Sequence, residues 1–275
     1  MIKTTNTKRS IATLSLAAIL AVPVAATAHP NGSDGEPAED IHVVVGKYEN
    51  CFFDLHSELT QSEFHQFAKE AGHITRFRPL TNAETLGKWK FNISLSMSQA
   101  PVDDSKGAWN NTMSHPDAEH YLGHEVAFPR LVVRMGVTDN VDIGAWGTID
   151  PNANYGFVGI DAKIAILRQS ADMPVSLAIR PNVSALIGPK EVWVANGGVD
   201  VSVSRNYKGL SPYLGVGVMS SIAVEKSDDV DLNNGTSTDP VAFAGLAYKW
   251  KKLNLAAEAE AGPLTTYAVS VGGGF

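Results

Sequence analysis

The sequence is poor in cysteine and in charge, and each shortage excludes something. A single Cys, Cys51, among 275 residues leaves no disulfide framework and no multi-cysteine metal site. Charged residues reach only 19%, below the roughly 25% usual in soluble domains. What charge there is leans acidic, 29 Asp and Glu against 22 Lys and Arg, a net −7. A nucleic-acid binder needs a basic face, so that class is set aside and no nucleic-acid partner is expected. No apolar run of about 18 residues occurs beyond the N-terminus, which excludes a helical membrane protein. Aromatics are thin at 8%.

The N-terminus has the parts of an export signal. Lys3, Lys8 and Arg9 precede an apolar stretch from Ile11 to Val24, and Ala26-Thr27-Ala28 supplies the small-residue cleavage pattern. Residues 1–28 are therefore expected to be a signal peptide cut after Ala28. Its loss removes three basic groups and moves the net charge from −7 to −10. Residues 29–80 read as an N-terminal extension on the periplasmic side. It holds a flexible acidic leader over 29–40 and a short helix over 60–71. Thr60 and Glu63 have capping-box spacing; Phe64, Phe67, Ala68 and Ala71 share a face; Gly72 fits a helix stop. That helix either packs on the domain C-terminal to it or plugs a barrel mouth.

From Gly87 the period becomes two, and residues 81–275 read as one β-domain. In 88–98, Trp89, Phe91, Ile93, Leu95 and Met97 point one way while lysines, Asn92 and serines point the other. The pattern recurs over 127–137, 141–149, 156–167, 175–187, 192–205, 213–225, 241–250, 253–261 and 267–275. The count is ten strands, within a range of eight to twelve. Most run about 10–12 residues, as a tilted membrane-crossing strand must. Short connections (138–140, 170–173, 206–210, 251–252) alternate with a set that includes both long loops, 99–124 and 226–240. Short periplasmic turns and longer outer loops give that rhythm. The expected fold is thus all-β, a closed antiparallel transmembrane barrel with aliphatic rows against lipid.

The last strand carries Tyr267, Val269, Val271, Gly273 and Phe275 on one face and stops at Phe275. This resembles the terminal signature of Gram-negative outer-membrane barrel proteins. The stretch Pro79–Phe91 is similar to the entry into the first strand in a loose group of such proteins often labelled transporters. The resemblance implies a porin-like barrel in the outer membrane, with membrane lipid and the barrel-assembly machinery as partners. Trp89 and Tyr213 are expected near an interface, as girdle aromatics are.

The predicted inward face collects Lys90, Arg130, Arg134, Lys163 and Arg180 with Asp142, Asp161, Asp200, Glu258 and Glu260. A ten-stranded barrel is narrow, so these charges either lock a plugged lumen or line a polar path. The leading expectation is a narrow channel or passive transporter for an unidentified small solute, working as a monomer without cofactor. The alternative is a non-conducting barrel whose loops bind ligand, lipid or metal. An outer-membrane hydrolase is a weaker alternative: no G-x-S-x-G motif and no convincing triad is present, and no catalytic residue is assigned. His115, His120 and His124 share the first long loop with Asp117, Glu119 and Glu125, a candidate Zn or Cu set matching no strict motif. Asp229-x-Asp231-x-Asn233-Asn234-Gly235 resembles a Ca²⁺ loop, but its Gly is one place late and the distal Glu is missing.

Overall fold

A computed structural model describes residues 52–76, 78, 80–103, 105–114, 125–149 and 156–275. The expected signal peptide, the acidic leader, Cys51 and the loop histidines His115, His120 and His124 lie outside the described residues.

The described residues begin with β1 (Phe52–Phe53) and α1 (Gln61–Thr75), then enter β2 (Phe91–Pro101). After α2 (Gly107–Asn110) and β3 (Met113–Ser114), the strands follow one another without interruption. They are β4 (Glu125–Gly136), β5 (Val141–Ile149), β6 (Gly156–Leu167), β7 (Ser176–Ile187), β8 (Val192–Ser204) and β9 (Leu210–Glu225). β10 (Gly235–Trp250), β11 (Leu253–Ala261) and β12 (Thr265–Gly274) complete the set. Ten of these strands, β2 and β4 to β12, form a closed barrel. Every pairing is antiparallel between neighbours in that series, and β12 returns to β2 with Tyr267 opposite Gln99 and Gly274 opposite Asn92. Closure leaves no unpaired edge, the condition for a sheet to stand in lipid.

The two faces of the wall are inverted relative to a soluble barrel. Leu95, Ile160, Leu214 and Val216 are each 57–59% exposed on the outside. Arg134, Asp142, Asp161 and Arg180 are buried inside. Exposing such aliphatic rows to water costs about 25 cal/mol per Å², so the outer surface is built for acyl chains. No helix among the described residues is long and apolar enough to cross a membrane.

One end of the barrel carries the turns 137–140, 168–175, 205–209 and 251–252; the other carries 188–191, 226–234, 262–264 and the described part of the connection after β2. The expected loop 226–240 is shorter than read, because β10 starts at Gly235 and runs 16 residues. The first barrel strand starts at Phe91 rather than Lys88. Gly87 (φ 90°) and Trp89 (φ 61°) turn the chain, with the Trp89 N–H donating to Gly136 O at 2.7 Å. Phe91 and Phe275 exchange backbone hydrogen bonds at 3.0 and 2.8 Å, which zips the barrel to its last residue.

The helix is not beside the barrel but inside it, at the long-loop end. Its capping box forms as expected from Thr60 and Glu63. It runs past Gly72 to Thr75, however, three residues beyond a glycine expected to stop it. Gly72 serves a different purpose: a Cβ there would lie 1.9 Å from Ser221 Oγ, so only glycine lets the helix approach β9.

Candidate functional site in the lumen

Inward rows change character along the barrel. Towards the long loops they present Trp146, Phe157, Leu186, Val192, Val194 and Ala223, all buried. These join Phe64, Phe67, Ala68, Ala71 and Ile74 of α1 in one apolar cluster. Phe67 sits at its centre, edge-on to Trp109 (5.4 Å between centroids) and to Phe53 (6.0 Å). An amphipathic helix needs an apolar wall to bury its stripe, and the upper lumen is that wall.

Below the helix the wall turns polar, and the chain continues down through it. Arg76 donates to both Glu260 and Asp200, and all three are buried. His73 Nε2 lies 3.1 Å from Glu260 Oε1, and Arg78 Nε lies 4.0 Å from the same oxygen. Arg130 donates to the carbonyls of Arg76 (3.0 Å) and Ile74 (2.6 Å) while stacking over Trp146 at 4.4 Å. These carbonyls lie at the helix C-terminus, where intrahelical partners run out, so a cation there satisfies them. Asn196 donates to Gly72 O at 2.9 Å and to Thr75 Oγ1 at 2.7 Å.

Further towards the short turns, residues 80–86 are held by the strands on every side. Arg180 donates to Thr81 Oγ1 at 3.2 Å, and Ser204 Oγ accepts from the Ala83 N–H at 3.0 Å. Lys163 donates to the carbonyls of Asn82 (3.3 Å) and Glu84, and pairs with Asp142 at 3.5 Å. Asp142 in turn accepts from the Leu86 N–H at 3.0 Å. Arg134 forks onto both oxygens of Asp161 at 2.8 and 2.9 Å, with Arg180 Nε 3.4 Å from Asp161 Oδ2. Gly144 makes room for that pair: a Cβ there would meet Asp161 Oδ1 at 2.1 Å.

Nine of the ten expected lumen charges therefore face inward: Arg130, Arg134, Asp142, Asp161, Lys163, Arg180, Asp200, Glu258 and Glu260 are all buried. Lys90 is the exception. It is exposed at the short-turn rim, because the chain is still turning there and β2 has not begun. Tyr213 departs from its expected place in the girdle: it is buried, lying along the inner wall over Gly245 and donating to Glu258 Oε2 at 2.9 Å. Trp89 is exposed as expected. Tyr267 and Val271 face outward and Phe275 is 69% exposed; Val269 pairs with Met97. Sequence reading missed His73, Arg76 and Arg78, since no period marks them. It also missed Trp146 and Phe157, though both keep the parity of the inward Asp142 and Asp161.

Two other features lie at the long-loop end. Asp54, Glu191 and Asp229 bring carboxylate oxygens within 4.8 Å of one another at the long-loop end. Glu191 already accepts from the Leu55 N–H at 2.8 Å. Gly235 of the Ca²⁺-like stretch begins β10 instead of turning a loop; a Cβ there would press on Phe64 O at 2.9 Å. A cavity of about 130 Å³ lies at the short-turn end, between residues 80–86 and the wall of Asn92, Ser94, Ser211 and Asn254.

No family model matches the chain, and no curated protein does. Solved structures do resemble it, and they are outer-membrane barrels. Ail, the attachment invasion locus protein of Yersinia pestis in complex with the heparin analogue sucrose octasulfate, is 15% identical, with 68% of this chain and 99% of that chain covered at a TM-score of 0.31. The KdgM porin in complex with disordered oligogalacturonate is 14% identical over 67% of this chain and 99% of that one, at 0.34. LpxR from Salmonella typhimurium is 10% identical over 67% and 99%, at 0.38. None is near enough to transfer a function, and the membrane-spanning reading stands on the exposure pattern of this chain's own wall.

Proposed function

We propose that this protein is an outer-membrane barrel that is closed to solutes in its resting form and works through its long-loop end. The observation that carries the reading is the occupied lumen. The described residues from Phe64 to Arg76, and those from Leu80 to Leu86, lie within it, and Arg130, Arg134, Asp142, Asp161, Lys163, Arg180, Asp200 and Glu260 are engaged by that segment or by one another. The apolar face of α1 against an apolar wall keeps water from that contact, and water-free contact is a poor route for a polar solute. With short turns in the periplasm, as barrels of this kind have them, α2 and the paired β1 and β3 stand at the outer mouth with α1 in the lumen beside them, so the described part of the N-terminal extension enters from the outer end and not from the periplasmic side expected for it. These mouth elements and the loops around them form the surface offered to a partner. The wall closes without a second chain, which supports a monomer.

A second reading draws on the cavity at the short-turn end: a gated channel whose segment 76–86 withdraws to let a small polar solute through. A hydrolase has less support, since His73 faces Glu260, which Arg76 also holds, in the lumen. Planar-bilayer recording separates them. The closed barrel gives no discrete conductance steps at moderate voltage; regular steps whose ion selectivity changes in Asp161→Asn favour the channel. Lipid turnover in micelles, abolished in His73→Ala, favours the hydrolase.

A further inference from the structure

Among the described residues the two ends of the barrel carry opposite charge, and the short-turn end is the basic one. Each turn there contributes cations. Lys88 and Lys90 come before β2, Arg168 follows β6, Arg205 and Lys208 follow β8, and the end of β10 with its turn adds Lys249, Lys251 and Lys252. All are exposed, and Asp139 and Asp172 are the exposed acids facing them among the described turn residues. At the long-loop end the balance reverses, with Asp54, Glu58, Asp103, Glu191, Asp228 and Asp229 outnumbering Lys106, Lys190 and Lys226.

The basic end is also where the outward aromatics gather. Trp89, Tyr207, Trp250 and Phe275 are 64%, 65%, 57% and 69% exposed. Three lysines lie over these rings: Lys208 over Tyr207 at 5.6 Å, Lys251 over Trp250 at 5.5 Å and Lys252 over Phe275 at 5.5 Å. Rings of this kind settle at the headgroup level of a bilayer, so an ammonium pinned above them stands at phosphate depth. Backbone strain marks the same places. Trp89, Lys208 and Lys251 hold φ of 61°, 54° and 55°, where glycine would sit at lower cost. The chain retains large amphipathic side chains at those turns despite the strain.

We propose that this belt binds anionic glycerophospholipid headgroups in the leaflet that meets the short-turn end. The ring supplies depth and the lysine supplies the charge; a lipid phosphate whose negative charge no headgroup cation offsets fits both better than a zwitterion does. Such binding is independent of whether the lumen conducts.

The test uses the purified full chain in neutral detergent micelles, followed by heat-modifiable gel mobility. Phosphatidylglycerol is added in one series and phosphatidylcholine with the same acyl chains in another. Phosphatidylglycerol should raise the melting midpoint by several degrees more than phosphatidylcholine, and high salt should erase the difference. The variant Lys208→Gln, Lys251→Gln, Lys252→Gln should lose most of the gain. The variant Lys106→Gln, Lys190→Gln, Lys226→Gln at the other end should keep it. Equal shifts with both lipids in the unmodified chain overturn the proposal, as does a gain that survives in the first variant. If inorganic phosphate alone gives the same shift, the belt is a site for small anions and the lipid assignment fails.

Discussion

The upper and lower halves of the lumen hold the same chain segment by different physics. In the upper half α1 buries Phe64, Phe67 and Ile74 against aliphatic and aromatic wall residues. In the lower half an extended stretch with no secondary structure of its own is held by Lys163, Asp142, Arg180 and Ser204. The difference follows from backbone chemistry. A helix satisfies its own amides and needs only an apolar face buried. An extended strand in a narrow barrel has no sheet partner, so each buried N–H or C=O needs a side chain from the wall. Arg76 lies at the junction and ties both regimes to Glu260 and Asp200.

If that junction is the keystone, Arg76→Met should be the most damaging single change. It strands two buried carboxylates and should cost about 3–5 kcal/mol, read as a lowered urea midpoint in detergent. Adding Asp200→Asn and Glu260→Gln should recover part of the loss; no recovery would mean the pairing is incidental. Phe67→Ala probes the upper half alone, leaving a cavity among Phe53, Phe64 and Trp109. It should cost about 3–5 kcal/mol, with no change in the accessibility of the lower segment.

The same contrast separates what the sequence could tell from what it could not. The wall was legible, because lipid outside and polar groups inside impose a strict period of two on every strand. Nine inward charges were placed from parity alone. The segment that fills the lumen was not. The helix showed an apolar stripe without naming its wall, and residues 76–86 have no period because their bonds come from six different strands. Lys90 and Tyr213 fail for local reasons. One sits in a turn where parity does not yet apply, and the other obeys a parity that the general habit of interfacial tyrosines obscured. Gly72 was read as a stop from its position near a helix end, when the real constraint is the approach of β9.

Gly72→Ala sharpens that last point. The added methyl meets Ser221, so a loss of about 1–3 kcal/mol is expected, whereas a simple helix-interior exchange of glycine for alanine would stabilise. Unfolding midpoints decide the sign, and Ser221→Gly in the same chain should restore it. The smallest effect belongs to the helix start. Hydrogen bonds from the backbone and side chain of Thr60 lower the Glu63 carboxyl below its ordinary value. A carboxyl depressed in the folded state stabilises above its unfolded value, and that contribution is lost as pH falls through the folded one. Thr60→Ala should cost about 1 kcal/mol at neutral pH, with a narrowing gap to the unmodified chain as the solution is acidified.

The occupied lumen is tested most directly by a cross-link between Ala83 and Ser204, whose backbone nitrogen and hydroxyl are 3.0 Å apart. In a Cys51→Ser background, the pair Ala83→Cys and Ser204→Cys should form a disulfide on mild oxidation in the folded, lipid-embedded protein, and both thiols should resist a water-soluble maleimide. Free thiols at both positions, with the one at 83 labelled readily from solution, would contradict an occupied lumen.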